Sequence, residues 1–191
     1  NLFSPKCFSI FHMIEKEILI YTHKITSRNK YIFNLIFKNI LNVKHRITSD
    51  IAVFKGFEGA KFSYDFHSLG EELFFLSKNL LFETGIKEQA ISVYDFEDSK
   101  VFFATGKYSA LPFDPFAAAF YLVTRYEEYL PHIRDKHNRF DAKESLAFEN
   151  NFLDKPLVNN WAKKIKHLIL ERFPNFYFPE NTYRFISTID I

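Results

Sequence analysis

The stretch that decides the fold is Glu17-Ile18-Leu19-Ile20-Tyr21-Thr22, followed by Thr26 to Leu41 and then Val43-Lys44-His45-Arg46-Ile47-Thr48. The first run is short and continuously apolar, as in a strand buried on both faces. Thr26 and Ser27 can cap a helix. Tyr31, Ile32, Leu35, Ile36, Ile40 and Leu41 give that helix one wide apolar face, with Arg28, Lys30, Asn34 and Lys38 elsewhere and Asn42 as a stop. Val43, His45 and Ile47 then alternate with Lys44, Arg46 and Thr48, which is a strand period. Strand, helix and strand in this order predict a right-handed βαβ unit with parallel pairing.

Outward from this unit, the middle of the chain reads as strands and turns. Gly56 and Gly59 bracket a turn, and Phe62, Tyr64 and Phe66 alternate with Lys61, Ser63 and Asp65. Leu73–Leu76 and Leu80–Glu83 form one expected hairpin. Ile91–Phe96 and Val101–Thr105, flanking Glu97-Asp98-Ser99-Lys100, form a better one. This whole middle stretch, Lys61–Phe66 included, is expected as antiparallel additions to the βαβ unit. The last third is helical. Asp114 stands at an N-cap and Pro115 at the first helical position; the helix buries Phe116, Ala119, Phe120, Val123 and Tyr126 and ends before Pro131. Ala117–Ala119 offer a small-residue face. His132–Phe140 is a polar loop. A second helix starts near Pro156, buries Leu157, Trp161, Ile165, Leu168 and Ile169, and turns Lys163, Lys164 and Lys166 to water. Pro174 and Pro179 punctuate an extended linker, and Tyr183–Ile189 is a further strand. The fold class is therefore α/β: a mixed sheet with an opening βαβ unit, antiparallel hairpins and C-terminal helices packed on the sheet.

Composition narrows the function classes. A chain of 191 residues suits one domain with a short appendage. The 25 Phe and 10 Tyr against 5 Gly favour sheet and a bulky core. With 25 basic and 23 acidic residues the net charge is only +2, which gives no strong draw to nucleic acid or anionic membrane. The single cysteine, Cys7, excludes an internal disulfide framework and a cysteine zinc site and fits a reducing compartment. No run reaches membrane-span length. Residues 7–14 are too short and too broken for a signal core, so a cytoplasmic location is expected. Residues 1–13 read as a disordered or non-native leader, 14–180 as an α/β domain, and 181–191 as a linker and one strand.

Catalytic patterns are few. The turn Thr22-His23-Lys24-Ile25-Thr26 has no glycine, and no phosphate loop occurs elsewhere. His132 and His137 stand five apart around Asp135; a loop metal site competes there with a solvated loop, because helical ligands stand three or four apart. Glu127 and Glu128 diverge by about 100° if helical, so they do not serve one site easily. Arg125 and Glu128 suit an i,i+3 ion pair on a helix face. No Gly-x-Ser-x-Gly elbow is present. Arg184-Phe185-Ile186-Ser187-Thr188-Ile189-Asp190-Ile191 is different: an apolar strand delivering a carboxylate at its end, as barrels present catalytic acids, or else a core strand ending in a surface Asp.

Thr188-Ile189-Asp190-Ile191 resembles the opening motif of the polysaccharide deacetylase family (NodB-like, carbohydrate esterase 4) in its Thr-x-Asp-x-Asp form. Tyr21–Thr26, Phe113-Asp114-Pro115-Phe116-Ala117-Ala118, Thr124-Arg125-Tyr126-Glu127-Glu128-Tyr129-Leu130 and Leu153-Asp154-Lys155-Pro156 are similar to the N-terminal region of a bacterial subgroup of these proteins. The resemblance implies that Asp190 is a general base, that the second Asp would be residue 192, and that a divalent metal, usually zinc, serves a downstream deacetylase domain. That domain would hydrolyse N-acetyl groups on carbohydrate. Within this chain no metal ligands are expected, and Asp114, Arg125, Glu127 and Glu128 are expected in interface or structural roles. The implied partner is the downstream barrel, with carbohydrate as a further candidate. Two rivals stay open. A standalone glycan- or protein-binding module predicts an exposed aromatic patch. A small-molecule enzyme predicts a deep pocket at the parallel strand ends, lined by residues such as His23, Lys24 and Asp50.

Overall fold

In the computed structural model, which describes residues 17–180 and 185–189, the opening run forms β1 (Ile18–Tyr21), with all four residues buried. It has a parallel neighbour on each side and helices over both faces, which is why it shows no polar alternation. Thr26 caps α1 (Ser27–Phe33) by a reciprocal pair: the Asn29 amide donates to Thr26 Oγ1 at 3.1 Å and the Thr26 amide to Asn29 Oδ1 at 2.9 Å. The helix runs on as a π-helical segment, Asn34–Ile40, in which the Leu41 amide reaches back five residues to Ile36 O at 2.9 Å.

The π winding corrects the expected stripe. Ile32, Phe33, Ile36, Phe37 and Leu41 are buried, whereas Tyr31 is exposed and Leu35 and Ile40 are only half-buried. Phe33 and Phe37 decide the rotation, because both rings pack against Phe62 and Phe116. Asn42, with φ 51°, ends the segment in the left-handed region.

The chain returns as β2 (His45–Thr48), parallel to β1. An unforeseen helix follows, α2 (Ile51–Gly56), whose N-cap Asp50 accepts from the Ala52 and Val53 amides at 2.7 and 3.2 Å. Then come β3 (Lys61–Asp65) and β4 (Leu73–Leu76), giving the order β2-β1-β3-β4. Both added strands are parallel, not antiparallel as expected. Residues 66–72 make the return without a helix. The Glu72 carboxylate fastens them, accepting from the Ser63 hydroxyl and the Leu69 amide, each at 2.6 Å. Leu80–Glu83 is a turn and not a strand: the Phe82 and Glu83 amides donate to Asn79 O, and Leu80 and Leu81 are driven into the core.

The second expected hairpin exists in tighter form as β5 (Tyr94–Phe96) and β6 (Ser99–Val101), antiparallel and forming a sheet of their own. Glu97, at φ 51°, makes the turn. Asp114 caps α3 (Pro115–Val123) with Pro115 at its start, in agreement with the sequence pattern. The helix stops earlier than expected. The Thr124 hydroxyl bonds back to Phe120 O at 2.7 Å, Arg125 turns left-handed at φ 52°, and Tyr126–Tyr129 continue as a 3-10 turn. A short helix, α4 (Leu146–Glu149), precedes α5 (Leu157–Arg172).

On α5 the buried residues are Leu157, Trp161, Ala162, Ile165 and Ile169. Lys164 is not simply solvated: it ion-pairs with Glu97 and Asp98 and holds the hairpin to the helix. Lys166 lies over the Phe178 ring. Beyond α5 no regular element forms among the described residues, yet Phe176 and Phe178 are buried and pin residues 173–180 to the core.

The main core lies on the face of the sheet carrying Ile18, Ile20, Phe62, Tyr64 and Phe75, beneath α1, α3 and α5, with Phe116 at its centre. A small cluster of Leu19, Tyr21 and Phe54 covers the other face beneath α2. The fold is α/β, with the βαβ opening, an antiparallel hairpin and a C-terminal helix against the body. Residues 185–189 pair with no strand of either sheet, and Phe185, Ile186 and Ile189 are 79%, 79% and 84% exposed. The expected leader, residues 1–13, and Asp190 lie outside the described residues. Among the described residues no helix is long and apolar enough to cross a membrane.

Candidate functional site

A parallel sheet gathers the loops that follow its strands along one edge, and ligands of open α/β folds bind there, outside the carboxyl ends. In the order β2-β1-β3-β4 the connections reverse direction between β1 and β3. His23 follows β1 and Asp65 ends β3, and the two meet at that point. His23 Nδ1 lies 2.7 Å from Asp65 Oδ1, and the His23 amide donates to Asp65 Oδ2 at 2.8 Å. The Phe66 amide donates to Asp65 Oδ1 at 2.7 Å. The imidazole packs against Phe66 and Phe82, with ring centroids 5.1 and 4.4 Å away. The carboxylate at Nδ1 fixes the orientation of the imidazole. Of the residues expected at these strand ends, His23 belongs to this arrangement and Asp50 is spent on capping α2, while Lys24 contributes a backbone carbonyl that accepts from Asn29 Nδ2.

Beside this pair, past β3 and β4, a cavity of about 510 Å³ opens. Phe66, Phe103 and Tyr94 supply its apolar walls, and Lys78, Glu83 and Gln89 its polar ones. The walls are tied down. The Lys78 amide donates to Asp114 Oδ2 at 2.7 Å, the Asp114 amide to Phe103 O at 2.9 Å, and the Tyr94 hydroxyl to Pro112 O at 2.8 Å.

Asp114 is the junction. Its carboxylate caps α3 through the Phe116 and Ala117 amides at 3.0 and 2.9 Å, and also accepts from Tyr64 Oη at 2.8 Å. Burial pushes its pKa up to about 6 against the pull of these donors. Arg28, which no sequence pattern marks, clamps the loop over this edge. Its guanidinium donates to Leu80 O at 2.7 Å and to Gly85 O while lying over the Phe120 and Tyr126 rings. Alternation along β3 makes Asp65 one more outward residue. Its place as the last residue of that strand, opposite the turn carrying His23, is the signal that could have found it.

The other motif residues meet elsewhere. Arg125 and Glu128 form the expected ion pair. The Leu146 amide donates to Glu127 Oε1 at 2.7 Å, so Glu127 holds the start of α4 beside its N-cap Ser145, and burial raises the Glu127 pKa. Arg125, Glu127 and Glu128 of the first stretch and Leu153, Lys155 and Pro156 of the second border one groove of about 430 Å³. Next to it, Arg125, Glu128, Arg134, Asp135 and Arg139 line an open polar cleft. Asp135 there is a turn acceptor for the His137 and Arg139 amides, and His132 Nδ1 lies 2.8 Å from Leu130 O. Among the described residues no three His, Cys, Asp or Glu side chains gather as a metal site.

Comparison with curated proteins and with solved structures yields no match. A sequence profile does match, over residues 18–174, from β1 to just beyond α5. The chain belongs to the family that this profile describes, a family of unknown function (DUF7033).

Proposed function

We propose that residues 14–180 are the accessory N-terminal domain of a polysaccharide deacetylase-like protein, and that residues 181–191 link it to the first strand of the deacetylase barrel. On this reading the domain is not itself catalytic. Its work is to pack against the barrel and shape one rim of the substrate cleft.

The observation that carries the reading is the run Phe185–Ile189. It has strand-type apolar sequence but pairs with no strand of the sheet, and Phe185, Ile186 and Ile189 stand 79–84% exposed. Large apolar side chains left in water are stabilised by a cover of comparable character, which a barrel supplies. Asp190 would act as general base there, and the zinc would belong to ligands of the barrel. The face bordered by residues 124–130 and 153–156 is the proposed contact with it, because the turn after α3 places both stretches on one groove.

The test uses the 191-residue chain and its full-length parent. With added zinc and N-acetylated oligosaccharides, the chain alone should release no acetate and the parent should. The double variant Phe185→Asp, Ile186→Asp should leave the melting of the chain unchanged and collapse the parent's activity. Acetate release by the chain alone, or an unaffected parent, contradicts the reading.

A further inference from the structure

We propose that the cavity beyond β3 and β4 binds a small uncharged polyhydroxylated molecule, a mono- or disaccharide. The proposal does not rest on a downstream barrel: it concerns the carboxyl edge of this domain's own sheet.

Position comes first. The cavity is built on residues that directly follow parallel strands, Phe66 after β3 and Ser77 and Lys78 after β4. Here the connections that follow the strands bring their side chains together. Its volume of about 510 Å³ falls within the range of small-molecule sites, about 300–1,000 Å³. The walls are held by the hydrogen bonds through Asp114 and Pro112, so little ordering would be needed on binding.

The lining then selects the ligand. One cation, Lys78, and one carboxylate, Glu83, leave no net charge. A phosphate would face Glu83 with a single lysine in its favour, and a metal would find a single carboxylate. Hydroxyls and amides fit better. Gln89 Nε2 donates to Glu83 Oε2 at 3.2 Å, which leaves Glu83 Oε1 and the Gln89 carbonyl as acceptors. Asn79 adds a side-chain amide, with its backbone carbonyl already used in the turn.

Ser77 lines the cavity but keeps its hydroxyl buried beside the Tyr64 phenol, so it serves as wall and not as a ligand contact. The rings of Phe66 and Phe103 supply apolar surface for the C–H face of a sugar ring.

The experiment is ligand-observed NMR and calorimetric titration of the full 191-residue chain. The probes are maltose, cellobiose and di-N-acetylchitobiose, with phenylalanine and inorganic phosphate as contrasting arms. At least one disaccharide should bind, and Asn79→Ala and Gln89→Leu should each weaken it about tenfold, the loss of one hydrogen bond. Circular dichroism melts should show both variants folded; Lys163→Ala, on the exposed side of α5, should bind as the wild type does. The proposal is overturned if no disaccharide binds, if folded variants bind equally well, or if only phenylalanine or phosphate binds.

Discussion

Replacing Asp114 separates its two roles, hydrogen-bond junction and buried acid. Its carboxylate accepts from the Phe116 and Ala117 amides, the Lys78 amide and the Tyr64 hydroxyl, and it is fully buried. Asp114→Ala removes a helix cap, a loss of about 1 kcal/mol. It also strands a buried hydroxyl and a backbone amide, at about 1–3 kcal/mol each. The total, about 3–7 kcal/mol, is comparable with the whole stability of a domain of this size.

Asp114→Asn keeps an oxygen for the α3 cap and strands the Lys78 amide alone, at about 1–3 kcal/mol. The pH dependence of that difference is diagnostic. The carboxyl pKa is raised from 3.8 to about 6 by burial, so the folded state binds the proton more tightly than the unfolded state. The stabilisation is therefore fully present below pH 3.8 and is lost as the pH rises through 6. A rise of that size corresponds to about 3 kcal/mol. Other carboxylates titrate alike in both proteins and cancel. Urea unfolding followed by the fluorescence of Trp161, the single tryptophan of the chain and a buried one, should show the wild-type advantage over Asp114→Asn shrinking by about 2–3 kcal/mol between pH 4 and pH 7.5. An advantage that is flat or grows with pH refutes the assignment of Asp114 as a buried acid of raised pKa.

Further outcomes follow from contacts of Thr26, Arg28 and His45. Thr26→Ala breaks the capping box of α1 and the bond to Leu81 O, and thermal melts should show a loss of about 1–2 kcal/mol. Arg28→Ala frees the loop at Leu80 and Gly85; a loss of about 2–3 kcal/mol is expected, with faster proteolysis near residues 80–90. Arg28→Lys should recover less than half of that loss, because an ammonium cannot reproduce the planar fork. Burial first, and then Lys38, lower the His45 pKa, so its contribution is present above pH 6.5 and lost as the pH falls; an NMR titration should place His45 below the ordinary histidine value, and His45→Gln should remove that acid sensitivity.

How much of the fold is legible in the chain differs by element. Local chemistry reads true where one residue type does one job: Thr26 and Asp114 as caps, Asn42 as a stop, and Pro156 just before a helix. The long-range pairing of β3 and β4 does not, because alternation along Lys61–Asp65 reports two unlike faces and not strand direction. The π winding of Asn34–Ile40 is also hidden, since it is set by where Phe33 and Phe37 find other rings. At the site, the turn after β1 points to His23, but nothing local points to Asp65. Their contact spans 42 positions and is made by the parallel crossing of β1 and β3, which no local pattern encodes. The spacing of Arg125 and Glu128 predicts their ion pair, and the pair exists, although it spans a left-handed turn and not a helix face.

Whether this domain precedes a deacetylase barrel is decided by reading the coding sequence past the codon for Ile191. An Asp codon is expected at position 192, completing Thr188-x-Asp190-x-Asp, and then an open frame with histidines spaced to hold a metal. A stop codon at that position, or a frame encoding no such domain, contradicts the proposed role.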